Sequence, residues 1–175
     1  MVDVFIDNYQ HMDCGNYCIS RILSEINQKF EQSDFIYSEI IPKGSLLPKI
    51  WILLLKYFSN IEIIHEHQDI FINIKDEELP ILQEYSHRLD EFQKSWWKYS
   101  NHEISIEYLK ENLKENYCII PIKKGEWSHL VILHSIGENE VNQVDNKKWE
   151  FSISIPEFKD LIDLENWKYT LFAKK

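Results

Sequence analysis

The sequence contains few of the residues that break or cross-link a protein chain. Its 175 residues include only 4 glycines, 5 prolines and 3 cysteines. So little glycine and proline excludes collagen-like and linker material. Three cysteines, an odd number without a regular spacing, provide no disulfide framework and are typical of reduced thiols in a cytosol. We therefore expect a cytoplasmic protein that is stabilised by a hydrophobic core.

Long apolar runs and an excess of positive charge are also missing. The longest apolar run is Ile50–Leu55, whereas a membrane-spanning helix needs about 20 residues. The N-terminal sequence MVDVFIDNYQ lacks the basic start and the apolar stretch of a secretory signal. With 19 basic and 29 acidic residues, the net charge is −10, which argues against general nucleic-acid binding. We expect neither a nucleic acid nor a membrane as partner, while a cationic partner such as an amine is compatible with the charge.

The patterning predicts one α+β domain over residues 1–175, with a helical half over about 1–115 and a sheet half over about 116–175. Helices are predicted over residues 14–26, 46–58, 76–97, 106–115 and 155–164. Strands are predicted over residues 61–64, 117–122, 128–135, 140–145, 148–153 and 167–172. Gly125, Gly137 and Asn146-Lys147 supply turn residues between the later strands. We expect the N-terminal helices to pack on a C-terminal antiparallel sheet.

Cys14 stands where the first predicted helix begins. The free N–H groups and the dipole of a helix N-terminus stabilise an anion and therefore favour a thiolate. Gly15 beside it would leave the backbone accessible to a substrate carbonyl, because glycine has no Cβ. Cys14 is thus a candidate nucleophile, although a small buried cysteine would follow the same pattern.

His129 is the candidate base for this thiol, since it lies at the start of an apolar strand, just after a turn that contains glycine. Asp145 ends the next predicted strand, and in an antiparallel pair that end returns close to His129. The carboxylate would then accept a hydrogen bond from the imidazole and set its tautomer. Trp127, near His129, is a candidate for keeping water out of a substrate cleft. His11, three residues before Cys14, is the alternative base.

The motif around Cys14 resembles those of the bacteriocin-leader (double-glycine) peptidases of the papain-like superfamily. Asp13-Cys14-Gly15 leads into a helix, and a His-bearing strand followed by an Asp-ending strand comes in the same order as in that family. The resemblance implies a papain-like fold with Cys14 as nucleophile, His129 as base and Asp145 as its orienting partner. It implies no cofactor.

The sequence departs from the family pattern at the oxyanion hole and near the nucleophile. The family has a glutamine six residues before the cysteine, where this chain has Asn8, while Gln10 lies four residues before it. Either amide is a candidate oxyanion donor. A small residue is usual three positions after the cysteine, but Tyr17 stands there, and Asn146 replaces the proline that usually follows the aspartate.

Three functions remain open on this basis. The resemblance favours a peptidase-like enzyme that cleaves a peptide or amide bond through an acyl-thioester. The same chemistry would serve an amide-forming acyltransferase that moves an acyl group from a thioester donor, such as one bound to a carrier protein, to a cationic amine. A papain-like fold without catalysis, acting as a binding module, is the third. Metal binding is not expected, because neither His11 with Cys14 and Cys18 nor His65 with His67 completes a ligand set of motif spacing.

Overall fold

A computed structural model describes residues 14–28, 54, 57–58, 61–65, 104–125, 127–145, 148–162 and 169–175. Within these residues the chain forms three helices and six strands. Their bounds are α1 (Cys14–Glu25), β1 (Ile61–His65), α2 (Ile106–Asn112), β2 (Asn116–Lys124), β3 (Trp127–Ile136), β4 (Glu140–Asp145), β5 (Lys148–Ser154), α3 (Ile155–Ile162) and β6 (Tyr169–Lys174). None of the helices described is long and apolar enough to cross a membrane.

The six strands form one antiparallel sheet in the order β1-β6-β2-β3-β4-β5. β2 to β5 follow one another as a meander, whereas β6 returns from the end of the chain to pair with both β2 and β1. Gly125 adopts a φ of 66° in the connection between β2 and β3, a conformation that glycine reaches without steric cost. The turn predicted at this glycine is confirmed.

The centre of the sheet is buried on both faces. Successive residues of a strand point to opposite faces, yet the five residues from Cys118 to Ile122 are all buried. Leu109 of α2 and Phe158 of α3, both fully buried, share one hydrophobic cluster with alternate residues of β2 and β3. This hydrophobic core holds β2 and β3 in position, and polar residues at the ends of these strands are described below.

The helix α1 is buried against the strand β3. Its residues Ile19, Ile22 and Leu23 have no exposed surface. The thiol of Cys18 lies 3.6 Å from the carbonyl oxygen of Leu130, to which it donates a weak hydrogen bond. Cys18, near the N-terminus of the chain, is thereby held next to the first half of β3.

The helix α2 begins at the cap that the sequence predicts. Ser105 has extended backbone angles, and its hydroxyl accepts a hydrogen bond from the N–H of Tyr108. The helix ends at Asn112, three residues earlier than predicted. The side-chain amide of Asn116 donates to the carbonyl of Asn112 and so satisfies a carbonyl group at the helix end.

The α+β class and the sequence of elements in the second half are confirmed, with small shifts at the boundaries. The last strand covers residues 169–174 where 167–172 is predicted, because its pairing with β2 and β1 determines where it begins and ends. The strand predicted at 61–64 is present and forms one edge of the sheet. The helix predicted over 76–97, and most of the one over 46–58, lie outside the described residues.

Candidate active site

Two of the predicted site residues meet at the ends of β3 and β4. The Nε2 atom of His129 lies 2.7 Å from Oδ1 of Asp145, a distance typical of a strong hydrogen bond to a carboxylate. The His129 side chain is 12 % exposed and that of Asp145 is 8 % exposed. The contact is therefore largely shielded from water, which strengthens it.

The register of the hairpin explains this meeting. Ile132 lies opposite Val144, so one further step along the pairing puts Asp145 opposite Val131. Because side chains alternate between faces, His129 and Val131 lie on the same face of β3. Asp145 is therefore the diagonal neighbour of His129, at a separation that long polar side chains can bridge.

Lys124, the last residue of β2, also contacts this carboxylate. Its Nζ lies 3.2 Å from Oδ2 of Asp145, the oxygen that does not contact His129. The lysine side chain is 49 % exposed, so the cation reaches from solvent over a nearly buried carboxylate. Sequence reasoning did not single out Lys124. The alternation of side chains along β2 could have identified this residue. Lys124 shares a face of the sheet with Ile122, and Ile122 lies opposite His129.

Cys14 is the first residue of α1 and is half-buried, and Gly15 beside it is buried. The first turn of α1 carries no acidic side chain that would repel a negative charge on the sulfur. Cys18 follows one turn later on the same side of the helix and contacts Leu130, the residue after His129. The helix that begins at Cys14 therefore lies against the strand that carries His129.

Tyr17 of α1 is buried, and this burial raises the pKa of its phenol, while the charge of Arg21 opposes the rise. Cys18, when it is ionised, and the carboxylate of Asp145 raise that pKa further. Arg21 also joins α1 to β5, because its Nη2 lies 3.5 Å from Oε1 of Glu150.

Some predicted residues lie outside this description. Asn8, Gln10 and His11 are not among the described residues. Trp127 begins β3, but its side chain is not described. The roles proposed for these residues therefore remain predictions.

The remaining cysteines and His134 behave as the sequence predicts. Cys118 is fully buried, and burial raises the pKa of its thiol, so it serves packing and not chemistry. None of the three cysteines forms a disulfide bond. His134 is exposed, on the face of β3 opposite to that of His129. Among the described residues no group of three or more potential ligands could hold a metal ion.

Comparison with known proteins gives a structural likeness only. No family model matches the sequence, and no curated protein matches it. Among solved structures, the peptidase domain of Streptococcus ComA, a bifunctional ABC transporter involved in a quorum-sensing pathway, is similar with a TM-score of 0.52. The likeness covers 93 % of this chain and 92 % of that chain at 11 % sequence identity.

At this identity the likeness concerns the fold. The chain has a peptidase-like α+β fold, and the papain-like architecture expected from the Cys14 motif is confirmed to that extent. Membership of the bacteriocin-leader peptidases stays a prediction.

Proposed function

We propose that this chain is a cysteine enzyme of the peptidase type, with Cys14 as nucleophile, His129 as base and Asp145 as the residue that orients the imidazole. The observation that carries the proposal is the shielded 2.7 Å contact between His129 and Asp145. A paired histidine and carboxylate beside the helix that a cysteine begins is the arrangement that activates a thiol. The peptidase-like fold supports the same reading.

The contact assigns separate tasks to the two ring nitrogens. Because Nε2 faces Asp145, Nε2 carries the proton of the neutral ring and Nδ1 is the nitrogen that takes the proton of the Cys14 thiol. The thiolate then attacks the acyl carbon. The backbone N–H of Cys14, with the side chain of Asn8 or Gln10, would stabilise the oxyanion. The imidazolium returns its proton to the leaving amine, and an acyl-thioester remains on Cys14.

The packing of α1 supports this assignment. Cys18, one turn after Cys14, contacts Leu130, the residue that follows His129 on β3. A peptide is the proposed substrate class.

The acceptor of the acyl group decides between hydrolysis and transfer. Water completes a peptidase reaction, whereas an amine would form an amide. The net charge of −10 suits a cationic amine acceptor and favours the acyltransferase as second candidate, with an acyl-thioester donor such as one held by a carrier protein. Adding a diamine to the acyl-enzyme distinguishes them, because transfer yields the amide of the amine and hydrolysis yields the free acid.

The central test is the mass of the intact chain after incubation with a panel of peptide thioesters. We expect one hydroxylamine-labile acyl adduct on Cys14 that is missing in Cys14→Ala and His129→Ala. His134→Ala is the matched control, because this histidine lies on the same strand but is exposed on its other face. An adduct that persists in Cys14→Ala would contradict the proposal.

Alkylation with iodoacetamide separates an enzyme from a non-catalytic binding module of the same fold. Cys18 and Cys118 have no exposed surface, so selective labelling of Cys14 follows from burial alone. The informative quantity is the pH dependence. An activated Cys14 is labelled below pH 6 and loses this low-pH labelling in His129→Ala, whereas an ordinary thiol is labelled only as the pH approaches about 8.5.

A further inference from the structure

We infer that Lys124 is a positioning residue of the proposed reaction, which acts on His129 through Asp145. The inference rests on the proposed function and extends it to a residue on a third strand. The carboxylate of Asp145 has its two oxygens divided between two partners: Oδ1 contacts the imidazole of His129, and Oδ2 contacts the ammonium of Lys124.

The division of the two oxygens fixes the orientation of the carboxylate. Asp145 is 6 % exposed, so water has little access to compete for either oxygen. A carboxylate held at Oδ2 cannot turn about its χ2 angle without losing the ion pair with Lys124. Lys124 therefore keeps Oδ1 directed at His129. Residues that surround an active site commonly orient the reacting side chains in this way.

The orientation that Lys124 gives to Asp145 bears on acylation, because Oδ1 must face the ring N–H if the carboxylate is to stabilise the imidazolium that forms when His129 takes the proton of Cys14. Tyr17 on α1 also interacts electrostatically with Asp145, and Arg21 interacts with Tyr17.

The alternation of the strands supplies a matched control. Lys123 precedes Lys124 on β2, is also exposed, and points to the opposite face. Lys123→Met thus removes the same charge from the same strand without removing the contact with Asp145. Lys124→Arg keeps the charge and the ability to donate to a carboxylate.

The test is the NMR resonance of the Nε2 proton of His129 in the full chain, together with the rate of Cys14 acylation. In Lys124→Met we expect this resonance to shift or broaden, because the carboxylate that accepts the proton is no longer held at its other oxygen. Lys124→Arg and Lys123→Met should leave the resonance where it is in the wild type. Acylation in Lys124→Met should slow about two- to fivefold, and Lys124→Arg should restore it.

The inference is overturned if the Nε2 proton resonance does not change in Lys124→Met, if Lys123→Met changes it equally, or if the acylation rate is unchanged. Lys124→Gln, which keeps a polar side chain, provides the same comparison if the methionine variant does not fold. The resonance is observed without turnover, so it remains decisive even if the adduct on Cys14 fails to form. Failure of the proposed function and failure of this inference are thereby distinguishable.

Discussion

Replacing Asp145 tests the electrostatic basis of the proposed site most directly. Two unit charges 2.7 Å apart, the distance between Nε2 of His129 and Oδ1 of Asp145, attract each other by about 1.5 kcal/mol even at the dielectric constant of water. This energy corresponds to about a tenfold change in a reaction rate. The shielding of both side chains raises the attraction, and the Lys124 cation reduces it.

Asp145→Asn removes the charge but keeps an oxygen that can accept from the ring. We expect acylation of Cys14 to slow about tenfold, since the imidazolium that forms during the reaction loses its neighbouring anion. Asp145→Ala also removes the acceptor and leaves a shielded ring N–H unpaired, at a cost of about 1–3 kcal/mol. Its acylation rate should therefore be about tenfold lower again.

The assay is time-resolved intact mass of the acyl-enzyme. Asp160→Asn, at an exposed position of α3, removes the same charge away from the site and should leave the acylation rate unchanged. The reasoning is refuted if Asp145→Ala acylates as fast as the wild type. It is equally refuted if Asp145→Asn and Asp160→Asn acylate at the same rate.

Three further predictions concern stability, measured by urea unfolding. Burial raises the pKa of Cys118, so its thiol loses its proton at a lower pH in the unfolded chain than in the folded protein. Above about pH 9 the free energy of unfolding of the wild type should therefore fall by up to about 1.4 kcal/mol per pH unit. Cys118→Ala should lack this part of the slope between pH 8 and 10, and an equal slope would contradict the cause. Ser105→Ala should cost about 1 kcal/mol because it removes the acceptor for the N–H of Tyr108, whereas Ser105→Asp should cost less; equal losses would argue against capping. Gly125→Ala should cost about 1 kcal/mol because of its φ of 66°, and Gly125→Asn less; an unchanged midpoint for Gly125→Ala would show that the turn relaxes.

The meeting of His129 and Asp145 was predictable because it is a property of one hairpin. The residues are 16 positions apart, at the beginning of one strand and the end of the next. Alternation and antiparallel return are enough to bring such positions together. Lys124 lies on the preceding strand of the same meander, and the same rule would have found it. It was missed because a lysine at the end of a strand is ordinarily solvated.

The order of the strands could not be read from the sequence. β6 inserts between β2 and β1, and nothing in the periodicity of residues 61–64 or 167–172 specifies these partners. Such pairings are chosen by the packing of the whole core, and they also determine where β6 begins and ends. That both faces of the sheet are buried could not be predicted either, because a short apolar run such as Cys118–Ile122 fits a strand or a buried helix.

The site therefore combines a local part and a distant part with different structural origins. Lys124, His129 and Asp145 lie within one meander, whereas the contact that brings α1 to β3 joins Cys18 and Leu130 across 112 positions of the chain. The orientation of the imidazole consequently depends mainly on the hairpins, whereas the position of the Cys14 thiol depends on how α1 packs against β3. Perturbations of α1 should alter the reactivity of Cys14 and leave the histidine–carboxylate pair intact, so measuring both quantities reveals which part of the site a substitution affects.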